Sequence, residues 1–171
     1  FNSKDLCMIE HVPELVKAGI DSFKIEGRMK TALYVAAVTR TYRKAIDDFF
    51  EGEDVYQANL DWYRAEIAKC TYRQYSTGFY FGKPSSENQI YDNSTYVNEY
   101  TYLGIVEEKV PAEELAAKTG AFLGKLRQLE GQERQVGSGD VLCLYRITQR
   151  NKFCVGDEIE VMKPGGEDHK L

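Results

Sequence analysis

The sequence predicts an α+β chain in which the end of an α/β layer is followed by a small β-barrel. Three observations carry this expectation. A helix, a strand and a second helix follow one another through tight joints in residues 1–58, the order of an α/β layer. An aromatic, glycine-punctuated connector occupies residues 59–95. Residues 96–171 then hold short apolar runs with strand character around a helical insertion.

In the first part, Pro13 suits the opening of a helix and Gly19 suits its left-handed stop. Ile20 to Glu26 alternates, with Phe23 and Ile25 on one side and Ser22, Lys24 and Glu26 on the other, as a half-buried strand does. Gly27 ends that strand. One strand cannot make a sheet, so its partners are expected upstream of this chain. A helix is predicted over 31–50, with Tyr34, Val38, Tyr42, Ile46 and Phe49 or Phe50 on its apolar side and Arg40, Arg43, Lys44 and Asp47 on its polar side. After the polar break Glu51–Asp54, a further helix is predicted over 60–69, with Asn59 as its N-cap.

The connector runs through Cys70 to Pro84 and a polar loop, Ser85 to Ser94. In the last part, Tyr100–Glu108 reads as a strand interrupted at Gly104, and Asp140–Thr148 as a second. Phe153–Met162 reads as the closing strands of the barrel, with Val155-Gly156-Asp157 at a turn. Between them, Ala112–Gln135 has helical spacing broken by Gly120, Gly124 and Gly131.

Composition narrows the function classes. With 43% hydrophobic and 29% charged residues in 171, the chain has the makeup of a folded globular protein, with room for one medium domain or two small ones. No apolar run approaches the ~20 residues that span a bilayer, and no basic-then-apolar leader is present, so a cytoplasmic protein without membrane association is expected. Beginning at Phe1 in structured-looking sequence, the chain reads as the back end of a larger enzyme. Its first partner would be its own N-terminal catalytic domain, and alone it would be inactive. A net charge of −5 weakens nucleic-acid binding, although an acidic average can hide a basic face. Cys7, Cys70, Cys143 and Cys154 form no CxxC pair, which disfavours both a disulfide framework and a zinc site.

Three groups of residues could carry chemistry. Lys24, Glu26, Arg28 and Lys30 lie at the end of the predicted strand and before a helix, where α/β folds place their sites. Arg28 could grip a carboxylate or phosphate with two donors, and Lys30 could add a point charge. The spacing alone fits a solvated ion-pair cluster better. Tyr72, Tyr75, Phe79, Tyr80 and Phe81, with Arg73 and Lys83, could stack on unpaired bases of RNA. They could equally glue two modules together. Cys7 could be a nucleophile, a metal ligand or, most simply, a small buried hydrophobe. The strand-rich tail could bind RNA or serve as a packing and dimerisation module that makes a homo-oligomer.

The block from Asn2-Ser3-Lys4-Asp5-Leu6-Cys7 through Gly19 to Phe23-Lys24-Ile25-Glu26-Gly27-Arg28-Met29-Lys30, with Thr77-Gly78-Phe79 and Val155-Gly156-Asp157-Glu158-Ile159-Glu160-Val161, resembles the collagenase-like peptidase family. This is family thirty-two of the peptidases of unknown mechanism. The resemblance implies an N-terminal barrel-like α/β domain, with the present chain as its end plus a small C-terminal β-barrel. Some members are named for collagen degradation. The architecture is most similar to the prephenate-dependent tRNA uridine 5-hydroxylases, which would make prephenate a co-substrate and tRNA a partner. It also implies an iron–sulfur cluster on four cysteines in the full-length protein, three of them upstream and the fourth matching Cys7, so no cluster is expected on this chain alone. Arg28 and Lys24 would then face an anionic small molecule at the barrel mouth. A collagenase-like protease and a purely structural docking module are the alternatives.

Overall fold

A computed structural model describes residues 2–91, 96–110, 114, 145–154, 156–165 and 168–171. They divide into two compact units, Phe1–Thr101 with Glu158–Leu171, and Tyr102–Asp157.

The first unit is a helical body with short strand pairs at its side. Its strands are β1 (Asn2–Ser3), β2 (Asp5–Leu6), β3 (Tyr75–Ser76) and β4 (Gln89–Ile90). β1 pairs antiparallel with β4, and β2 pairs parallel with β3, so the N-terminal segment is threaded between two later parts of the chain. The helices are α1 (Val12–Lys17), α2 (Ala32–Glu51), α3 (Glu53–Ala58) and α4 (Leu60–Ala68). Pro13 sits in the first turn of α1, and Gly19 follows it at φ 78°, as the sequence requires. Thr31 caps α2 by accepting the Tyr34 amide at 3.1 Å.

The expected strand at Ile20–Glu26 is absent. The segment keeps its alternation, with Phe23 and Ile25 packed on the core and Lys24 and Glu26 exposed, but it forms no ladder among the described residues. The side-chain pattern needs only a surface to lie on, whereas a strand needs a neighbouring backbone.

α2 packs against α1, α3 and α4. Its most buried line is Ala37, Val38, Thr41, Ala45 and Asp48, and Phe50, expected as a possible core contact, is 72% exposed. Small residues on this line let the neighbouring helices approach, while Tyr34, Tyr42, Ile46 and Phe49 flank the core. Two tyrosines fill its centre. Tyr56 is fully buried and donates to the Ile9 carbonyl at 2.7 Å; Tyr63, also fully buried, donates to Asp48 at 2.5 Å. Burial by itself would raise the Asp48 pKa, but Tyr63, Lys44 and Asn59 outweigh it and hold the carboxyl below its usual range. Asn59 occupies the N-cap position of α4 without capping; its amide goes to Asp48 at 3.0 Å instead.

The closing segment of the chain returns to this unit. β7 (Glu160–Val161) pairs antiparallel with β8 (His169–Lys170), and Ile159 and Leu171 exchange backbone hydrogen bonds at 2.9 and 2.8 Å. Met162 packs on the core. Asp168 accepts from Arg40 Nη1 at 2.5 Å and from Lys69 at 3.1 Å, and Arg40 also donates to the Lys163 carbonyl at 2.9 Å. Glu66 binds both Arg40 and Lys69, and Glu160 binds Lys69. Arg40, expected on a solvated face, keeps only 11% of its side chain exposed.

The second unit contains β5 (Gly104–Lys109) and β6 (Tyr145–Gln149), paired antiparallel with a register shift between Val106 and Glu108. Gly104 opens the strand it was expected to interrupt. A Cβ there would lie 2.5 Å from the Thr148 carbonyl oxygen, so the close approach of β6 demands glycine. Gly156, at φ 94°, makes the expected turn, with Cys154 and Asp157 bonded to each other across it. Among the described residues the strands form four two-stranded sheets and no closed barrel. Among the described residues of Phe153–Met162, only Glu160–Val161 is a strand, because the turn and its side-chain bond interrupt the run. Val141–Leu144 and the helical stretch expected at Ala112–Gln135 fall outside the described residues, save for Glu114.

Removing one member of a buried ion cluster leaves the others desolvated and unpaired. Asp168→Ala should therefore destabilise the first unit by roughly 3 kcal/mol, with amide exchange rising first at Ile159 and Leu171. Burial would raise the Asp168 pKa, but Arg40 and Lys69 outweigh it and hold the group far below the usual carboxylate range. A depressed folded pKa gives stability that is complete above the unfolded value, about 3.9, and drains as pH falls toward the folded one. Thermal melts between pH 6 and 2 should show this loss below about pH 4, and it should be shallower in the Asp168→Ala protein.

Candidate functional site

The turn after β2 places Cys7 against the helices. Its amide donates to the Ser76 carbonyl at 3.0 Å, Met8 turns into the core, and a short 3-10 turn covers Ile9–His11. Tyr42, on α2, accepts the Met8 amide at 2.8 Å, and its hydroxyl lies 3.8 Å from Cys7 Sγ. Cys7 thus stands in the wall of a cleft of about 410 Å³, with Ile67, Tyr72, Tyr75, Ser76 and His11 around it. Burial pushes the thiol pKa up and the nearby Glu10 carboxylate adds to this, while hydrogen bonds from the Ile9 amide and Tyr42 offset part of the rise. In this setting Cys7 is a neutral thiol at neutral pH.

The ions at the cleft mouth are already committed. Arg64 holds Glu10 through two hydrogen bonds, at 2.9 and 2.7 Å, and also binds Asp61 at 2.9 Å. His11 faces Glu14 at 3.3 Å.

Four thiolates are the ordinary shell of an iron–sulfur cluster. Among the described residues, Cys70 is buried, Cys154 is exposed and Cys7 alone opens on the cleft. The one candidate group of three ligating side chains among the described residues, Glu66, Glu160 and Asp168, is filled by Arg40 and Lys69. Among the described residues, the thiol that lines the cleft is that of Cys7, where such a shell would need four. Cys143 lies outside the described residues.

The four predicted anion-site residues do not converge. Lys24 and Arg28 are exposed, and Glu26 folds back to accept the Arg28 amide at 3.0 Å. Lys30 turns the other way, reaching the Thr71 carbonyl at 3.4 Å and lying 5.1 Å from the Tyr34 ring centre and 5.8 Å from that of Tyr96. The aromatic set also divides. Tyr72 and Tyr75 stack on each other at 4.3 Å, and Tyr75 donates to the Ile67 carbonyl at 3.2 Å. Arg73 pairs with Asp5 at 3.2 Å and lies under Tyr96. Phe79, Tyr80, Phe81 and Lys83 are exposed.

Sequence reasoning missed Tyr42 as the neighbour of Cys7 and His11 as part of the cleft wall. Tyr42 was visible only as one of several aromatics at helical spacing. The ion cluster was missed entirely, since nothing in spacing links residue 40 to residue 168.

These features define an α+β chain with a cysteine-bearing cleft beside a helical body, the cleft being framed by the N-terminal segment and the aromatic connector. The chain belongs to peptidase family U32: the family's profile matches residues 1–90, and that of the peptidase family U32 C-terminal domain matches residues 127–171. An uncharacterized protease of Methanocaldococcus jannaschii is 53% identical over 78 residues, 46% of this chain and 18% of that protein. The tRNA hydroxylation protein P of Escherichia coli is 33% identical over 165 residues, 96% of this chain and 29% of that protein. A collagenase of Porphyromonas gingivalis is 31% identical over 101 residues, 59% of this chain and 28% of that protein. The chain thus spans less than a third of the length of these relatives. No solved structure matches it significantly. Among the described residues, no helix is long and apolar enough to cross a membrane.

The thiols should separate under mild alkylation. Burial pushes Cys70 up to about 11, with the Glu66 carboxylate adding to the rise, while Cys154 is exposed. Peptide mapping after iodoacetamide at pH 7.5 should find Cys154 modified and Cys70 protected. Protection should persist at pH 9, because a thiol with raised pKa gains little thiolate there.

Proposed function

We propose that this chain is the C-terminal portion of a tRNA hydroxylation protein, acting in 5-hydroxyuridine formation at the wobble position with prephenate as co-substrate. The observation that carries the reading is the extent of likeness. Similarity to tRNA hydroxylation protein P runs through 96% of the chain, across both units, whereas the collagenase covers 59%. The local chemistry agrees in kind. The side chain bonded to the Cys7 sulfur is the hydroxyl of Tyr42, which is not the positioned base that a cysteine protease pairs with its nucleophile.

In the whole protein, Cys7 would supply one thiolate to an iron–sulfur cluster whose other ligands come from upstream. Such a cluster would provide electron-transfer or Lewis-acid chemistry next to the cleft. The residues of this chain would do the holding. Arg28 and Lys24, exposed at the end of the alternating segment, carry the charge to bind a dicarboxylate such as prephenate. Glu26 limits the Arg28 backbone by accepting its amide. The upstream α/β domain would be the partner that brings these cations and the cleft into one site.

The test is nucleoside mass spectrometry of bulk tRNA from a strain lacking the whole gene. Loss of 5-hydroxyuridine derivatives is expected, with recovery from the intact gene. Complementation with Arg28→Ala should restore less than a tenth of the product, on the order of a lost charged hydrogen bond, and Cys7→Ala should restore none. An unchanged nucleoside profile on deletion, together with gelatin cleavage by the full-length protein, would replace this reading with the protease one.

A further inference from the structure

The loop between β3 and the Ser86–Asn88 turn presents three successive aromatic rings. Phe79 is 80% exposed, Phe81 61% and Tyr80 55%, beside the exposed Lys83. The loop is held in shape from within. Tyr80 N donates to the Thr77 carbonyl at 3.2 Å and Gly82 N to that of Phe79 at 3.3 Å. Gly78 and Gly82 take φ of 58° and 136°, which other residues adopt only with strain. The rings are therefore presented by a set backbone, at little ordering cost to a ligand.

This loop continues into the cleft. Phe81 packs on His11 with ring centres 4.5 Å apart, and His11 lines the cleft together with Thr77, Tyr72 and Tyr75. One continuous surface thus runs from exposed rings to an aromatic-walled recess of nucleotide size, about 410 Å³. The cations at the recess are consumed by Glu10 and Asp61. What the surface offers is flat π-faces at the loop, hydroxyls from Ser76 and Thr77 deeper in, and one flanking lysine.

We propose that Phe79, Tyr80 and Phe81 form a stacking shelf for unpaired RNA bases, with one base passing His11 into the cleft beside Tyr72. The proposal rests on the tRNA reading above and narrows it to a particular recognition element, bases that have left the helix. It also reassigns the role expected from sequence. Tyr72 and Tyr75 satisfy one another and serve as wall, and the loop tip does the stacking. Aromatic stacking suits an acidic protein, because it recognises bases without the density of free cations that a phosphate-gripping surface needs.

The test uses full-length protein and a fluorescein-labelled anticodon stem-loop RNA, with a fully paired duplex of equal length as control, read by anisotropy from 50 to 300 mM salt. Phe79→Ala and Phe81→Ala should each weaken stem-loop binding about ten-fold, the scale of one lost stacked base. Duplex binding and the salt slope should stay unchanged, since no phosphate contact is removed. Lys83→Ala should instead lower the slope by about 0.7. Phe79, touching least, keeps the test open if Phe81→Ala misfolds by circular dichroism. Parental affinity in Phe79→Ala would overturn the proposal, as would equal loss on stem-loop and duplex. So would solvent protection of the Phe79, Tyr80 and Phe81 side chains against hydroxyl-radical footprinting in the RNA-free protein, which would mean that another protein surface covers the shelf. A strain carrying Phe79→Ala with normal binding but gene-dependent 5-hydroxyuridine would sink the shelf and leave the tRNA reading standing.

Discussion

Arg40, Glu66, Lys69, Glu160 and Asp168 form an ion cluster on which the arrangement of the first unit depends. Two cations on α2 and just past α4 face three carboxylates, two of which come from the closing segment of the chain. Burial of these groups is costly one by one and tolerable only together. Asp168 hydrogen-bonds to Arg40 and thereby holds that guanidinium in its charged form, and the same carboxylate reaches Lys69. The cluster joins the segment that carries β7 and β8 to α2 and α4, where Met162 packs on the core.

A second constraint governs the cleft. The N-terminal segment is pinned between β3 and β4, so Cys7 has one position relative to Ile67 and Tyr75. Tyr42 then resolves a local problem of polar satisfaction. It takes the Met8 amide, which would otherwise be lost beside the core, and its hydroxyl also lies 3.8 Å from the sulfur. The thiol is kept neutral by burial, and an external metal partner would have to displace its proton. The committed ion pairs at the mouth leave stacking and neutral hydrogen bonding as the chemistry this surface offers to a ligand.

Local signals were read well where a local rule governs them. Pro13 and Gly19 around a short helix, and Gly156 at a turn, each act through their own backbone or the next few residues. The apolar side of α2 is legible, since Val38 is buried and Tyr34, Tyr42, Ile46 and Phe49 pack on the core, but aromatic bulk does not mark depth. Depth falls instead on Ala37 and Ala45, where neighbouring helices need small side chains to approach. The candidate site was half legible. Cys7 and the exposed loop tip could be singled out from residue type, but the division of the aromatic set, and of Lys30 from Arg28, follows from which neighbours reach them first.

By itself the sequence determined the family, the helices at Val12–Lys17, Ala32–Glu51 and Leu60–Ala68, the left-handed stop at Gly19 and the alternation at Ile20–Glu26, since each is written in near neighbours; the helix at Glu53–Ala58 and the left-handed Gly78 and Gly82 were not legible there. Only the tertiary structure decided that Arg40 and Asp48 are buried, that Ile20–Glu26 lies on the core without a strand partner, and that the tail joins the first unit. The physical reason is the same in each case. A charge or a strand is stabilised by a partner far along the chain, and until the fold brings that partner near, a solvated arginine and a buried one have the same local sequence.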